Sequence, residues 1–276
     1  MFTPFSDNTP GHLGNGFASD ASGGSTRVTG RYEIDQDGKK IAGGNAVTAA
    51  GGLPAVTARA ALSPRPSTIR FTLDASLTGT PDGLSTQSQT TWTWRSAHES
   101  GGALPPSSGW VCANYTLECR VEPLLTLQYA VAGMAPDGTA LPGRQILNIE
   151  AGHLPLAKAP RITGVNVAES ADGGRTWRAA RISRCGAHCF RAIFAAPKGA
   201  YVTLRTTAAD AAGGRISETI ARAYRTSAGT PRTASPRNAA RVFSSTRTVI
   251  TSMWVSVIRF VLQLRVAHLA WTVNAR

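Results

Sequence analysis

The chain has 276 residues, enough to bury a sizeable core, and its 28 Gly and 16 Pro among abundant Thr, Ser and Val fit a turn-rich β protein better than a helical one. Its formal net charge of +13 is uneven: nine Arg and no acidic residue follow Glu218, so 20 basic groups face all 16 acidic ones in residues 1–218. The body thus lacks the Lys/Arg stripe interleaved with aromatics that nucleic-acid binding needs, and no nucleic-acid partner is expected for it.

Residues 1–27 are rich in Gly, Ser, Asn and Asp without periodicity, and read as a loop or linker. Their start, MFTPFSDNTPGHLGNGF, has no charged n-region followed by an apolar h-region, so no signal peptide is expected in the chain as it stands. Alternating segments follow. TGRYEIDQDGKKIAG puts Tyr32 and Ile34 on one face ahead of Asp37-Gly38, a two-residue hairpin signal. STIRFTLDASL sets Ile69, Phe71 and Leu73 against Arg70, Thr72 and Asp74. TTWTWRS aligns Trp92 with Trp94, PLLTLQYAV aligns Leu125, Leu127, Tyr129 and Val131, and GRQILNIEAG adds a further strand. These predict a first β-domain over residues 28–155.

The Pro-bearing stretch GHLPLAKAPR reads as a boundary. Beyond it, ITGVNVAE, RTWRAARISR, CFRAIFAA, AYVTLRTTAA and RISETIARAY predict five short strands. That spacing predicts an immunoglobulin-like or fibronectin type III-like sandwich over residues 160–226. The fold class expected is therefore all-β, as two antiparallel β-sandwich-like domains followed by a poorly defined basic tail. The tail, residues 227–276, opens as a Pro/Ser-rich basic linker. It then turns apolar, with Arg259, Arg265 and His268 interrupting; its longest uncharged run, Thr248 to Ile258, is too short for a membrane span. Two readings stay open for it: a basic helix touching a membrane surface, or a shifted reading frame outside the evolved fold.

The four cysteines form two local pairs. Cys185 and Cys189 flank Gly186-Ala187-His188, a three-residue hairpin loop that sets them opposite one another; Cys112 and Cys119 bracket ANYTLE in the same way. Two short-loop disulfides suit an exported protein. The rival, a zinc site on Cys185, His188 and Cys189, lacks paired C-x-x-C spacing. No metal and no cofactor is expected.

One octet invites an enzymatic reading. SADGGRTW, residues 170–177, fits S-x-D-x-G-x-T-W, the Asp-box of sialidase propeller blades. Sialidases repeat that box and add an arginine triad, a tyrosine nucleophile and an acid, whereas this chain has one copy in a segment too short for a propeller. The physical reading is a hairpin turn: Asp172 caps backbone amides, Gly173 and Gly174 supply positive φ, and Trp177 packs beneath. No G-x-S-x-G, H-E-x-x-H or phosphate loop occurs, so no catalytic residue is expected.

Several ordered motifs resemble the region C-terminal to the catalytic domain of large secreted bacterial subtilisin-like serine peptidases. They are Trp92 to Ser96, Trp110/Cys112/Cys119 with Pro123-Leu124-Leu125, Asp172 to Trp177, and Tyr201 to Tyr224. The resemblance implies secretion, a non-catalytic accessory role in stabilising, positioning or tethering, and a catalytic peptidase domain as partner. The Asp, His and Ser segments of a subtilase have no counterpart here. An alternative reading is a stand-alone extracellular module for carbohydrate or cell-wall polymer, with Trp92, Trp94 and Tyr129 as a stacking face; same-face aromatics on strands are more commonly core.

Overall fold

A computed structural model of the chain describes residues 27–45, 47–48, 54–55, 62–63, 65–78, 83–96 and 121–229. Among these residues there is no helix, and the architecture is all-β.

Strands β1 (Arg27–Gln36) and β2 (Lys39–Asn45) form the hairpin expected at Asp37-Gly38. Asp37 and Gly38 have φ of 49° and 79°, the two positive values that a type I′ turn requires. Asp37 Oδ1 also accepts the Thr68 amide at 2.8 Å, fastening the turn to the next long strand. A small ribbon, β3 (Val47–Thr48) with β4 (Pro54–Ala55), precedes that strand. There follow β5 (Ser67–Thr78), β6 (Gln87–Ser96), β7 (Leu125–Val131), β8 (Thr139–Ala140) and β9 (Gly143–His153). The later part supplies β10 (Ile162–Ser170), β11 (Arg178–Ala179), β12 (Arg181–Arg184), β13 (Cys189–Ala196), β14 (Tyr201–Asp210) and β15 (Arg215–Thr226).

The strands assemble into a large sheet, ordered β11-β10-β14-β15-β6-β5-β1-β2, and a four-stranded sheet, ordered β12-β13-β9-β7. Every pairing is antiparallel except that of β8, which lies parallel to one end of β15. The two sheets pack face to face through the residues that alternate inward. Ile69, Phe71 and Leu73 of β5 are 2% exposed or less, and belong to one core cluster with Leu147 and Ile149 of β9. Removing a side chain of that size from water is worth about 1.5–3 kcal/mol. Phe71 sits directly opposite Trp92, with ring centroids 5.5 Å apart and planes inclined by 20°. Such a pair adds about 0.5–1.5 kcal/mol to the area term.

Both sheets mix strands from the two series that the sequence sets apart at residues 155–160. Strand β15 pairs with β6, so that Ile216 lies opposite Trp92; β13 pairs with β9, so that Phe190 lies opposite Ile149. A single core cluster runs from Ile34 to Tyr224. The stretch GHLPLAKAPR connects β9 to β10 within that one core, and the strands of residues 160–226 do not close on themselves. The stretch RTWRAARISR also departs from expectation. It divides at Ala180: β11 joins β10 in the large sheet and β12 joins β13 in the small one, while the Ala180 amide still donates to Val167 O at 2.8 Å. A strand that changes sheets has no local signature, because each half keeps its own period of two.

Candidate functional site

The octet at residues 170–177 closes the hairpin between β10 and β11. Its serine and aspartate bind the loop backbone from inside. Ser170 Oγ donates to Asp172 Oδ1 at 2.7 Å and accepts the Gly174 amide at 2.8 Å. Asp172 Oδ1 accepts the amides of Arg175 and Thr176 at 3.0 and 2.9 Å, and Oδ2 accepts Thr176 Oγ1 at 2.6 Å. These donors, Thr176 first, hold the Asp172 carboxyl well below the usual carboxylate range. Gly173 and Gly174 have φ of 75° and 91°, a conformation costly to side chains other than glycine. Trp177 lies against Gly174, and the Arg205 guanidinium stacks 4.0 Å above its ring. The carboxylate of Asp172 is thus engaged by its own turn, which makes it a weaker proton acceptor than an ordinary carboxylate.

The second hairpin tip carries the disulfide. Cys185 and Cys189 are bonded, with Cα atoms 5.0 Å apart, and the Cys185 amide donates to Cys189 O at 2.9 Å. His188 Nδ1 lies 3.1 Å from Ala151 O, turned toward the neighbouring strand rather than toward the sulfurs. The zinc alternative would need both sulfurs as thiolates, and here each is bonded to the other. Among the described residues no group of three His, Cys, Asp or Glu is placed to hold a metal. Cys112 and Cys119 lie outside the described residues, as do the tail and residues 1–26.

Trp92 and Trp94 do not form a stacking platform. They are 4% and 3% exposed, and both indole nitrogens are spent inside. Trp92 Nε1 donates across the sandwich to Leu125 O at 3.0 Å, and Trp94 Nε1 donates to Glu122 Oε2 at 2.9 Å. A ring covered on both faces has no surface to give to a sugar, so the glycan alternative loses the aromatics on which it rested. Tyr129 is likewise 5% exposed.

Two side-chain ties between the sheets, and one within the large sheet, were invisible to periodicity. Tyr129 donates to Glu218 Oε2 at 2.6 Å, and Thr90 Oγ1 reaches Glu218 Oε1 at 3.2 Å. Burial, reinforced by the Glu218 charge, pushes the Tyr129 hydroxyl well above the usual tyrosine range. His153 Nε2 sits 3.0 Å from Asp210 Oδ2, with side chains only 5% and 2% exposed. Asp210 Oδ1 meanwhile accepts the Ala212 and Gly214 amides, each at 2.8 Å, closing the β14–β15 turn. An acid–histidine pair of this kind shares two members with a hydrolytic triad, and both of its side chains are buried. Glu169, 1% exposed, takes Arg178 Nε on Oε1 at 2.5 Å, while its Oε2 is buried without a hydrogen-bond partner. Its charge and, more strongly, burial raise the Tyr224 hydroxyl above its ordinary value.

Comparison with protein-family models gives no match, and comparison with curated proteins gives none.

Proposed function

We propose that this chain is a non-catalytic β-module of an exported protein that stabilises, positions or tethers a subtilisin-like peptidase domain. The observation that carries the reading is the use made of the acid–base side chains. Asp172, Asp210 and Glu218 each accept hydrogen bonds that close a turn or join the sheets, and His153 is buried against Asp210. Groups so engaged support a rigid body. The motifs that resemble the accessory regions of secreted subtilases supply the partner class, and the Cys185–Cys189 bond fits an oxidising compartment. A chain that works beside an endopeptidase must itself resist cleavage. Backbone locked into two packed sheets meets that need, because proteolysis requires local opening.

The test is to treat the purified chain with a fluorophosphonate probe and to assay casein hydrolysis in parallel. The reading expects no labelled band and no hydrolysis above buffer. Stoichiometric labelling of a serine in this chain would overturn it.

A further inference from the structure

Charge is segregated along this chain in a way that the core does not require. Residues 143–226 hold 13 basic and 5 acidic groups, whereas residues 1–142 hold 9 basic and 11 acidic. Four of those five acids are already engaged: Glu169 with Arg178, Asp172 with its turn, Asp210 with His153 and Glu218 with Tyr129. Much of the surplus is carried by arginines with no carboxylate beside them.

Three such arginines share the outward face of the small sheet. The inward residues of β13 and β9 are Ala192, Phe194, Gln145 and Leu147, all buried. Alternation therefore turns Arg191, Ile193, Arg144 and Ile146 outward. Register places Arg181, Ile193 and Ile146 side by side across β12, β13 and β9, with Arg191 and Arg144 each two residues along. Arg144, Arg181 and Arg191 are exposed, whereas Ile146 and Ile193 are half-buried. None of the three arginines makes an ion pair among the described residues; Arg191 Nε approaches only Asn148 Oδ1, at 3.5 Å. Glu150, opposite Cys189, is the carboxylate at the far corner of the face.

We propose that this face docks an acidic protein surface, with Ile146 and Ile193 as its apolar centre and Arg144, Arg181 and Arg191 as its rim. An aliphatic centre ringed by arginine is the composition of a protein interface. Glycan platforms depend instead on aromatic rings, and the outward residues of β12, β13, β9 and β7 include none. Four strands some 4.8 Å apart and four to eleven residues long make a face of roughly 400 Å². That is about half of what a free-standing complex uses on each partner. The face accordingly suits an occupant held close by covalent linkage, for which effective concentration supplies the rest. In naming a linked domain as occupant the proposal rests on the accessory reading above; its chemistry, carboxylates around an apolar patch, does not.

The probe is a random Glu/Tyr copolymer, which carries carboxylates and apolar groups on a polypeptide. It is titrated into the full chain and compared with poly-glutamate and with alginate, a polyanionic glycan. The copolymer is expected to bind tightest. The R144E/R181E/R191E variant is expected to weaken it about tenfold, while R70E/R95E/R215E, with charge reversed on β5, β6 and β15, leaves it within about threefold. I146S/I193S is expected to abolish the copolymer's advantage over poly-glutamate. If charge reversal disturbs folding by near-ultraviolet circular dichroism, R144Q/R181Q/R191Q replaces it, with a smaller loss in the same direction. Binding that survives loss of the three arginines, or no binding by the unmodified chain, overturns the proposal. Alginate binding as tight as the copolymer, lost with the same arginines, overturns it in favour of a glycan. Fluorophosphonate labelling would leave this face standing and remove only the accessory reading.

Discussion

Between the sheets, Tyr129 gives its hydroxyl proton to Glu218 across 2.6 Å in the interior. At the tip of the β10–β11 hairpin, Thr176 gives its own to Asp172 across 2.6 Å in contact with water. The two bonds have the same length and opposite consequences. The interior tie joins strands 89 residues apart in sequence, so it forms only when the whole sandwich does. The tip clamp spans four residues and can form, or fail, by itself. Loss of an interior polar partner strands a desolvated group, whereas water replaces a lost partner at the tip. Interior ties should therefore control global stability and tip clamps local order.

The comparison is broken most severely at Trp92. Trp92→Ala removes a 4%-exposed ring stacked on Phe71 and leaves Leu125 O without its donor. A loss of about 3–5 kcal/mol is expected, read from denaturant unfolding, and a loss below about 1 kcal/mol would show that the ring is not in the core. Next comes the covalent tip. Opening the five-residue loop with Cys185→Ser and Cys189→Ser should cost about 2 kcal/mol by loop entropy, a case in which a tip reaches global stability through the unfolded state.

Tyr129→Phe sharpens the contrast at the interior tie. It deletes the donor to Glu218 while Thr90 Oγ1 remains, for an expected loss of about 1–2 kcal/mol. The sign of the pH dependence follows from the raised Tyr129 value. A hydroxyl whose folded value lies above its unfolded one contributes stability that is complete below about pH 10 and is lost as pH rises through the folded value. Tyrosinate absorbance should accordingly show Tyr129 and Tyr224 ionising only together with alkaline unfolding. Their ionisation in the native chain near pH 10 would contradict their burial.

The smallest effect belongs to Asp172. Its lowered value means that the clamp is present above the ordinary carboxylate range and is released as pH falls through the folded value. The amide shifts of Arg175 and Thr176 should titrate together in acid with a midpoint below about 3.9, and Asp172→Asn should abolish that step without moving the unfolding midpoint appreciably. A global loss on Asp172→Asn would erase the distinction between tip and interior.

Local features of this fold were legible because their causes are local. The Asp37-Gly38 hairpin, the Cys185–Cys189 loop and the alternation at Ile69/Phe71/Leu73 each follow from neighbouring residues. Partnership was not. Nothing within TTWTWRS says that its far neighbour is RISETIARAY, and a Pro-bearing stretch between two strand series looks the same whether it joins domains or crosses within one core. The polar ties were hidden for the same reason. Tyr129 stood in an alternating strand as one more apolar residue, and His153 and Asp210 lie 57 residues apart. Trp92 and Trp94 were readable as a face, but which side of the sheet that face would turn to depended on the second sheet. The charge asymmetry was countable from the start; the placement of Arg144, Arg181 and Arg191 on one sheet face needed the register of β9, β12 and β13.

The central claim is that both strand series make one body. Limited digestion with subtilisin under native, non-reducing conditions, read by intact mass and gel filtration, tests it most directly. The account predicts that β6 and β15 survive together and co-elute as one species even where connecting segments are cut. Survival of residues 160–226 alone, with residues 28–155 digested away, would contradict the single core.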